Sequence, residues 1–130
     1  MNRKAKGISG ERELIHLFWK TRTWTAIRVA GSGSMKYPSP DIVAQSNGRV
    51  LAIECKKSRG THQYLPANEI RALCDFAELS GAEAWIAIRF DRKEWKFIQT
   101  KNLKTTETQY VVETGEGVDF STLITSEGVK

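Results

Sequence analysis

Two acidic residues and a lysine stand at the ends of one predicted hairpin, PDIVAQSNGRVLAIECKK, residues 40–57. The pair Asn47-Gly48 between two strand-like runs predicts a two-residue type I′ turn, and this turn sets the register of the strands. Counting back from the turn places Asp41 directly opposite Glu54. Lys56 lies two residues beyond Glu54 and therefore on the same face of the hairpin.

Opposed carboxylates of this kind repel each other, because facing Cβ atoms in a sheet are only about 4.5–5.5 Å apart. A cation between Asp41 and Glu54 would remove the repulsion, and a hard divalent ion such as Mg²⁺ or Mn²⁺ prefers oxygen ligands. The alternative is a solvated outer strand face, on which Asp, Glu and Lys are common. The hairpin therefore predicts either a divalent-metal site or an ordinary polar face.

The two faces of the hairpin differ in polarity, because side chains alternate along a strand. The apolar face predicts a contact with the core and carries Ile42, Ala44, Leu51, Ile53 and Cys55. The opposite face carries Asp41, Val43, Ala52, Glu54 and Lys56. The candidate chemistry is thus expected on the face away from that apolar surface.

A third acid, Glu11, precedes the hairpin in GISGERELIHLFWK. Leu14, Ile15 and Phe18 recur at helical spacing and form one apolar stripe, and Glu11 lies on the same stripe. One interpretation is that Glu11 faces inward towards the acidic end of the hairpin. The other is that it is a first-turn acid that complements the helix dipole behind a Ser9 cap.

These residues carry a resemblance. Glu11, Asp41 and the strand motif Glu54-Cys55-Lys56 resemble the E…PD…ExK pattern of the restriction-endonuclease-like nucleases. Within that superfamily, KGISGERELI, RVAGSGS, PDIVA and AIECKK are similar to segments of the archaeal Holliday junction resolvases, the Hjc/Hje family, over roughly residues 6–101. The resemblance implies a structure-selective endonuclease that resolves four-way DNA junctions by paired, symmetric, Mg²⁺-dependent hydrolysis of phosphodiester bonds.

The resemblance also implies a role for each residue of the pattern. Asp41 and Glu54, with Glu11, would hold one or two Mg²⁺ ions per subunit, and Mn²⁺ would substitute. The backbone carbonyl of Cys55 would be an additional ligand. Lys56 would orient or polarise the attacking water and stabilise negative charge in the transition state. The expected catalytic set therefore comprises the side chains of Glu11, Asp41, Glu54 and Lys56, together with a serine of the loop that precedes Asp41.

That loop, residues 30–39, is rich in glycine and serine. Ser32 matches a serine that the resemblance makes important for cleavage, although Ser34 is close enough to exchange with it in the assignment. Glycine permits backbone conformations that other residues avoid, which suits a segment that rearranges. The loop is interpreted either as a mobile clamp that closes on DNA or as a simple flexible connection.

The net charge of +5 and the pI near 9.4 favour a polyanionic partner. A four-way DNA junction fits this expectation. For Arg28 a structural salt bridge is an equal alternative to a phosphate contact. The expected DNA-binding residues are Arg3, Lys4, Lys6, Arg12, Arg28, Ser32, Ser34, Lys36 and Lys57.

The element pattern predicts one α/β domain over residues 1–130, with a mixed central β-sheet flanked by helices, as in the restriction-endonuclease-like fold. Residues 1–6 are expected to form a basic tail, and the C-terminal end is expected to fray. The expected helices are residues 9–21 and a second that starts at Pro66 and ends near Gly81, and the expected strands are residues 24–29, 82–90, 94–99 and 108–113 besides the hairpin.

Symmetric cleavage of a junction favours a two-fold homodimer with two sites. The apolar surface of the second helix is wider than one sheet contact needs, so Phe76 is expected either at the dimer interface or in the core. No apolar run has the length of a membrane span, no signal peptide is evident, and the two cysteines predict buried thiols in the cytoplasm. No pattern identifies a sliding clamp or recombination protein as a partner.

Two other functions remain open at this point. A sequence-specific endonuclease of the restriction type would use the same chemistry, although the chain has little room for a base-reading subdomain. A non-catalytic module that binds junctions or duplex DNA is the alternative from a different class. Opposed carboxylates argue against such a module, because they repel phosphate.

Overall fold

The computed structural model describes residues 3–31 and 36–126, with the backbone alone for residues 3–8. Within these ranges, three α-helices and eight strands follow one another. They are α1 (Arg3–Lys20), β1 (Thr25–Arg28), β2 (Ile42–Ser46), β3 (Arg49–Ser58), β4 (His62–Pro66), α2 (Ala67–Ser80), β5 (Glu83–Phe90), β6 (Lys96–Gln99), a 3₁₀ turn (Thr100–Asn102), β7 (Lys104–Thr105), β8 (Gln109–Glu113) and α3 (Phe120–Thr125).

A five-stranded mixed sheet in the order β1-β2-β3-β5-β6 forms the centre of the domain. The strands β3 and β5 are parallel, and the other neighbours are antiparallel. Helix α2 lies in the connection between the two parallel strands, as a parallel pair requires. A smaller antiparallel sheet has the order β4-β8-β7. The predicted mixed sheet flanked by helices is therefore confirmed.

The hairpin register is also confirmed over the paired residues, from Ile42 opposite Ile53 to Ser46 opposite Arg49. The predicted apolar face packs in the hydrophobic core that includes α1, and Ala52 of the other face packs in a second core beneath α2. The sheet thus separates two hydrophobic cores. The acidic face of the hairpin lies on the α2 side.

Several predicted boundaries are wrong. Helix α1 begins at Arg3, because arginine, lysine and alanine are strong helix formers; the expected basic tail is thus helical from that residue on. Ser9 therefore lies inside α1 and does not cap it. Pro66 ends a strand and occupies the N-cap of α2, so it is not the first helical residue.

Among the short elements that escape prediction from the sequence, β4 and α3 show why. Strand β4 depends on pairing with β8, about fifty residues later in the chain, and its burial pattern shows only one fully buried residue. Helix α3 has six residues, too few to show a helical repeat, and begins after Asp119, whose carboxylate accepts a hydrogen bond from the amide of Thr122. Both elements are stabilised by contacts distant in sequence.

A buried ion pair fixes the start of β3 against β5. The guanidinium of Arg49 donates through Nε to Oε2 of Glu83 at 3.0 Å and through Nη2 to Oε1 at 2.9 Å. Its Nη1 donates to the carbonyls of Leu123 and Ser126 at the end of α3, at 2.8 and 2.7 Å. The indole of Trp85 donates to Glu83 at 3.0 Å. The Glu83 carboxylate, which is fully buried, is therefore well hydrogen-bonded.

We expect Glu83→Gln to lower the free energy of unfolding by up to about 3–5 kcal/mol, because it leaves the partly buried Arg49 guanidinium without its counter-charge. Urea denaturation measures the change. The matched control is Glu78→Gln on the exposed side of α2, for which we expect a change below about 0.5 kcal/mol. Equal effects of the two substitutions would show that the buried pair contributes no specific stability.

Candidate active site

Asp41 lies just before β2 and is fixed by its backbone and its side chain. Its amide donates to the carbonyl of Ile53 at 3.0 Å, and its carbonyl accepts from the amide of Val29 at 2.8 Å. Its Oδ2 accepts a hydrogen bond from the amide of Cys55 at 2.9 Å. The carboxylate is therefore held against β3 by the polypeptide backbone itself.

The expected ladder pairing of Asp41 with Glu54 is not what the structure shows. The paired register stops at Ile42 and Ile53, and the Asp41 amide donates to the carbonyl of Ile53. In continued regular pairing Asp41 would face Glu54, and its amide would point away from β3. Two successive residues of one strand thus face one residue of its partner, which is the arrangement of a β-bulge. The two carboxyl groups nevertheless meet, since a hydrogen bond joins them.

Glu54 is the acid whose protonation is most affected by this arrangement. Burial raises its pKa, the charge of Asp41 raises it further, and the pKa reaches about 8 although Lys56 acts in the opposite direction. Glu69 on α2 and the hydrogen bond to Asp41 also raise it. Near neutral pH the metal-free pair therefore retains a proton between two acids.

Glu11 reaches the same region from α1. Burial, and then the charge of Asp41, raise its pKa to about 7, although Arg28 lowers it. The first turn of α1 contains no acidic residue, so the alternative of a first-turn dipole contact is wrong. The Arg28 guanidinium lies 3.8 Å from the Glu11 carboxylate, which matches the salt bridge considered for this arginine. Glu11 therefore faces the acidic end of the hairpin.

Lys56 extends from β3 to an acid that the sequence did not single out. Its Nζ lies 2.8 Å from Oε2 of Glu69, in the first turn of α2. Burial lowers the pKa of Lys56, but the close ion pair with Glu69, and then the charges of Glu54 and Asp41, raise it above its ordinary value. Lys56 is therefore an ammonium ion beside the carboxylate pair. An acid in the first turn of a helix is ordinarily explained by the helix dipole, so the sequence position of Glu69 gives no signal of this contact.

The donor set fits a divalent cation only in part. In the described ranges, no three His, Cys, Asp or Glu side chains converge closely enough to hold an ion, so the expected three-carboxylate cluster is not assembled. Asp41 and Glu54 do meet, and both offer oxygen atoms. An ion in place of their shared proton would relieve the repulsion that raises the pKa of Glu54. The pair is therefore chemically suited to Mg²⁺ or Mn²⁺.

Cys55 separates Glu54 from Lys56 and points to the opposite face of β3. Its thiol packs against the α1 core, and burial and the neighbouring acids raise its pKa well above the ordinary value. The thiol is therefore not a ligand. The backbone carbonyl of Cys55 is the only group of this residue that remains a candidate ligand. Cys55 and Cys74 are both free thiols, as predicted, although each is only partly buried.

The other predicted DNA-binding residues fall into three groups. Lys57 lies on the α1 face, where its Nζ is 2.8 Å from Glu13. Arg12 and Lys36 are exposed, and Lys36 lies over the ring of Tyr37 at 5.7 Å. Ser32 and Ser34 lie outside the described residues. Arg3, Lys4 and Lys6 lie in the part of α1 whose side chains are not described.

A cationic cavity that the sequence did not predict adjoins Lys57. Its volume is about 320 Å³, and its lining includes three cations, Lys57, Arg59 and Arg89, and one acid, Asp91. Glu13 contacts both Lys57 and Arg89. Burial raises the pKa of Glu13, but Lys57, Trp95 and Arg89 together hold it below its ordinary value, so Glu13 is charged there. This arrangement orients two cations at one end of the central sheet.

Phe76 is partly buried and packs against the core beneath α2. Three residues further on, Leu79 is 89% exposed. On the neighbouring strand β4, Tyr64 is 52% exposed. The surface around α2 and β4 is therefore partly apolar, which the sequence indicated for the helix alone. The predicted role of Phe76 in a dimer remains a prediction.

The mixed sheet, the acid pair before and on its central hairpin and the following lysine define a nuclease domain of the restriction-endonuclease-like class. The profile of the family described as archaeal Holliday junction resolvase (Hjc) matches residues 2–130. The chain belongs to this family, which confirms the resemblance found in the sequence.

Individual relatives agree with this assignment. Crossover junction endodeoxyribonuclease Hjc of Archaeoglobus fulgidus is 42% identical over 110 residues, which cover 85% of this chain and 80% of the relative. The protein of the same name from Methanocaldococcus jannaschii is 37% identical over 108 residues, with 83% and 76% covered. The solved structure of Archaeoglobus fulgidus Hjc, a Holliday junction resolvase, superposes with a TM-score of 0.82 at 38% identity, covering 88% of this chain and 94% of that chain.

Among the described helices, none combines the length and the apolar character needed to cross a membrane.

We expect Glu54→Gln to change the pH dependence of stability in EDTA. The pKa of Glu54 is about 8 in the folded protein against an ordinary value of 4.5. A group whose pKa is raised by folding stabilises the folded state fully when the pH is below the pKa of the unfolded state. This contribution is lost as the pH rises towards the pKa of the folded state. Glutamine mimics the protonated carboxyl. The variant should therefore gain stability relative to the wild type between pH 4.5 and about 8.

Urea denaturation at about pH 5 and about pH 9 measures this effect, and the advantage of Glu54→Gln at the higher pH should be at least about 1 kcal/mol. Glu78→Gln on the exposed side of α2 is the control and should show no such dependence. Parallel stability profiles for Glu54→Gln and the wild type would mean that the Glu54 carboxylate is not destabilised in the folded protein.

Proposed function

We propose that this protein resolves four-way DNA junctions by paired, symmetric hydrolysis of phosphodiester bonds that depends on a divalent metal ion. The class of activity, an endonuclease that resolves Holliday junctions, follows from family membership. The single observation that supports the chemistry is the hydrogen-bonded pair Asp41 and Glu54 beside the Lys56 ammonium. A module that only binds DNA gains nothing from two carboxylates that repel phosphate.

Asp41 and Glu54 would hold Mg²⁺, or Mn²⁺ in its place, with the backbone carbonyl of Cys55 as a further ligand. When bound, such an ion supplies a more acidic water and neutralises charge on the leaving oxygen. Glu11, close enough for Asp41 to raise its pKa, would complete the site or bind a second ion. These assignments extend the expectation from the sequence and are supported by the donor chemistry.

Lys56 would act directly on the reacting groups. Its ammonium carries a full positive charge, because nearby acids raise its pKa. It can orient the attacking water through a hydrogen bond and stabilise negative charge that develops on the phosphate oxygens. Ser32, with Ser34 as the alternative, would contribute a hydroxyl group from a loop that closes on DNA, as the family resemblance implies.

Phosphate contacts outside the reacting group would come from the basic residues. Lys57, Arg59 and Arg89 line the cationic cavity and would be among them. Arg12 and Lys36 are exposed and available to phosphate. Arg3, Lys4, Lys6 and Arg28 complete the proposed set. With a four-way DNA junction as the proposed substrate, we also propose that the reaction takes place in the cytoplasm, as expected from the sequence.

The decisive experiment compares a synthetic four-way junction with a linear duplex of equal length, each with Mg²⁺ and with EDTA. Paired nicks in the junction alone, and only with Mg²⁺, are the expected result. Equal cutting of the duplex would replace the proposal by a general or restriction-type nuclease. Binding of the junction without any cutting would favour the non-catalytic module.

We expect Asp41→Asn to reduce cleavage by at least about a hundredfold, because even outer-shell partners of a metal ligand account for 10–100-fold. Junction binding in Ca²⁺ should stay the same or tighten, since one charge that repels phosphate is lost. Single-turnover cleavage and a gel-shift titration measure the two quantities. The control is Asp75→Asn, an exposed acid on α2. Cleavage by Asp41→Asn at the control rate would remove Asp41 from the site.

A homodimer is proposed for the two coordinated cuts, with Phe76 at its interface. Phe76→Ala should shift the sedimentation coefficient towards that of a monomer, or replace paired cuts by single uncoupled nicks. The exposed Leu79 on the same helix provides the comparison, because Leu79→Ala removes apolar surface without disturbing the described core. A Phe76→Ala protein that stays dimeric and only unfolds at a lower temperature would assign this ring to the core.

A further inference from the structure

The Lys56 ammonium is directed to Glu69, 2.8 Å away, although the acids Asp41 and Glu54 are near enough to affect its charge. A lysine side chain is flexible and can form an ion pair with any of several nearby carboxylates. The partner is important here, because an ammonium placed between Asp41 and Glu54 would occupy the position that suits a divalent ion. The contact with Glu69 keeps it beside that position.

Glu69 is held on a rigid support. It lies in the first turn of α2, and the next residue, Ile70, is 3% exposed in the core beneath the helix. Leu73 and Ala77 continue this buried stripe at helical spacing. The helix ends in a left-handed Gly81 whose neighbour Ala82 donates back to the carbonyl of Ala77. The Glu69 carboxylate is therefore positioned by packing of the helix.

The contact is partly shielded from water, which strengthens it. The side chains of Lys56 and Glu69 are 26% and 39% exposed. Glu69 is also close enough to Glu54 for its charge to raise the pKa of that acid. Glu69 thus lies at the edge of the carboxylate pair and carries the one described acid contact of Lys56 within salt-bridge distance.

We infer that Glu69 is a positioning residue for the reaction: it holds Lys56 beside the reacting groups and away from the place of the metal ion between Asp41 and Glu54. The inference rests on the proposed function, because it assumes that Lys56 acts in cleavage and that the two acids bind the ion. Glu69 is not part of the E…PD…ExK pattern.

The first test measures single-turnover junction cleavage at saturating Mg²⁺. Glu69→Ala should slow cleavage by at least about tenfold, since loss of an outer partner of a site typically costs 10–100-fold. The affinity for the junction should remain within twofold of the wild type, because an acid is not expected to bind phosphate and Glu69 is paired with Lys56. Glu69→Gln, whose amide oxygen can still accept from Lys56, should retain more activity than Glu69→Ala. Glu78→Ala, exposed on the same helix, is the matched control.

A double-mutant cycle identifies the residue through which Glu69 acts. In a Lys56→Ala background, Glu69→Ala should cause little further loss of rate, because the group that it positions is already absent. Additive losses would show that Glu69 acts independently of Lys56 and would overturn the inference. A wild-type rate for Glu69→Ala would also overturn it, while leaving the proposed function intact. If the wild-type protein cuts no junction, the proposed function itself fails.

Binding of Mn²⁺, measured by calorimetry without DNA, gives a readout independent of activity. Glu69→Ala should weaken binding several-fold, because the released ammonium competes with the ion for Asp41 and Glu54. The additional change Lys56→Ala removes the competitor and should restore the affinity towards that of the wild type. Persistently weak binding in the double variant would instead make Glu69 a ligand of the ion and exclude the positioning role.

Discussion

The fold brings two carboxylates together in a partly buried place, where they repel each other. Asp41 can be held there because its amide, its carbonyl and its carboxylate are each hydrogen-bonded to the backbone of a neighbouring strand. Glu54 is on the central strand β3, which pairs with both neighbours and cannot move away. The backbone therefore supports a charge arrangement that the side chains alone would avoid.

The cations around this pair are distributed among other acids. Lys56 contacts Glu69 on the α2 face of β3, and Lys57 contacts Glu13 on the α1 face. The alternation of a strand sends these adjacent lysines to opposite sides of the sheet. One is then available to the reacting groups and the other to the cationic cavity. The pKa of Glu54 remains raised to about 8, so the charge of the pair is only partly neutralised.

Local patterns predicted much of the fold, because the Asn47-Gly48 turn and the alternation around it depend on neighbours in sequence. The same patterns predicted Asp41 and Glu54 as partners. They did not predict the bulge at Asp41, which arises where β2 must pair with β1 and β3 together. Glu69 was missed because its contact depends on how the β3–α2–β5 crossover packs, and no local spacing records that geometry.

The two ends of β3 have opposite effects on stability. At its start, the Arg49–Glu83 pair is bidentate and buried, so each charge has its partner. Towards its other end, Glu54 faces another acid and is destabilised when charged. A ligand that binds only the folded state stabilises it, so a divalent ion at this end would add stability where the metal-free strand lacks it. The Arg49–Glu83 ion pair thus fixes the start of β3. Towards the other end of the strand, the repulsion between Glu54 and Asp41 can favour binding of a cation.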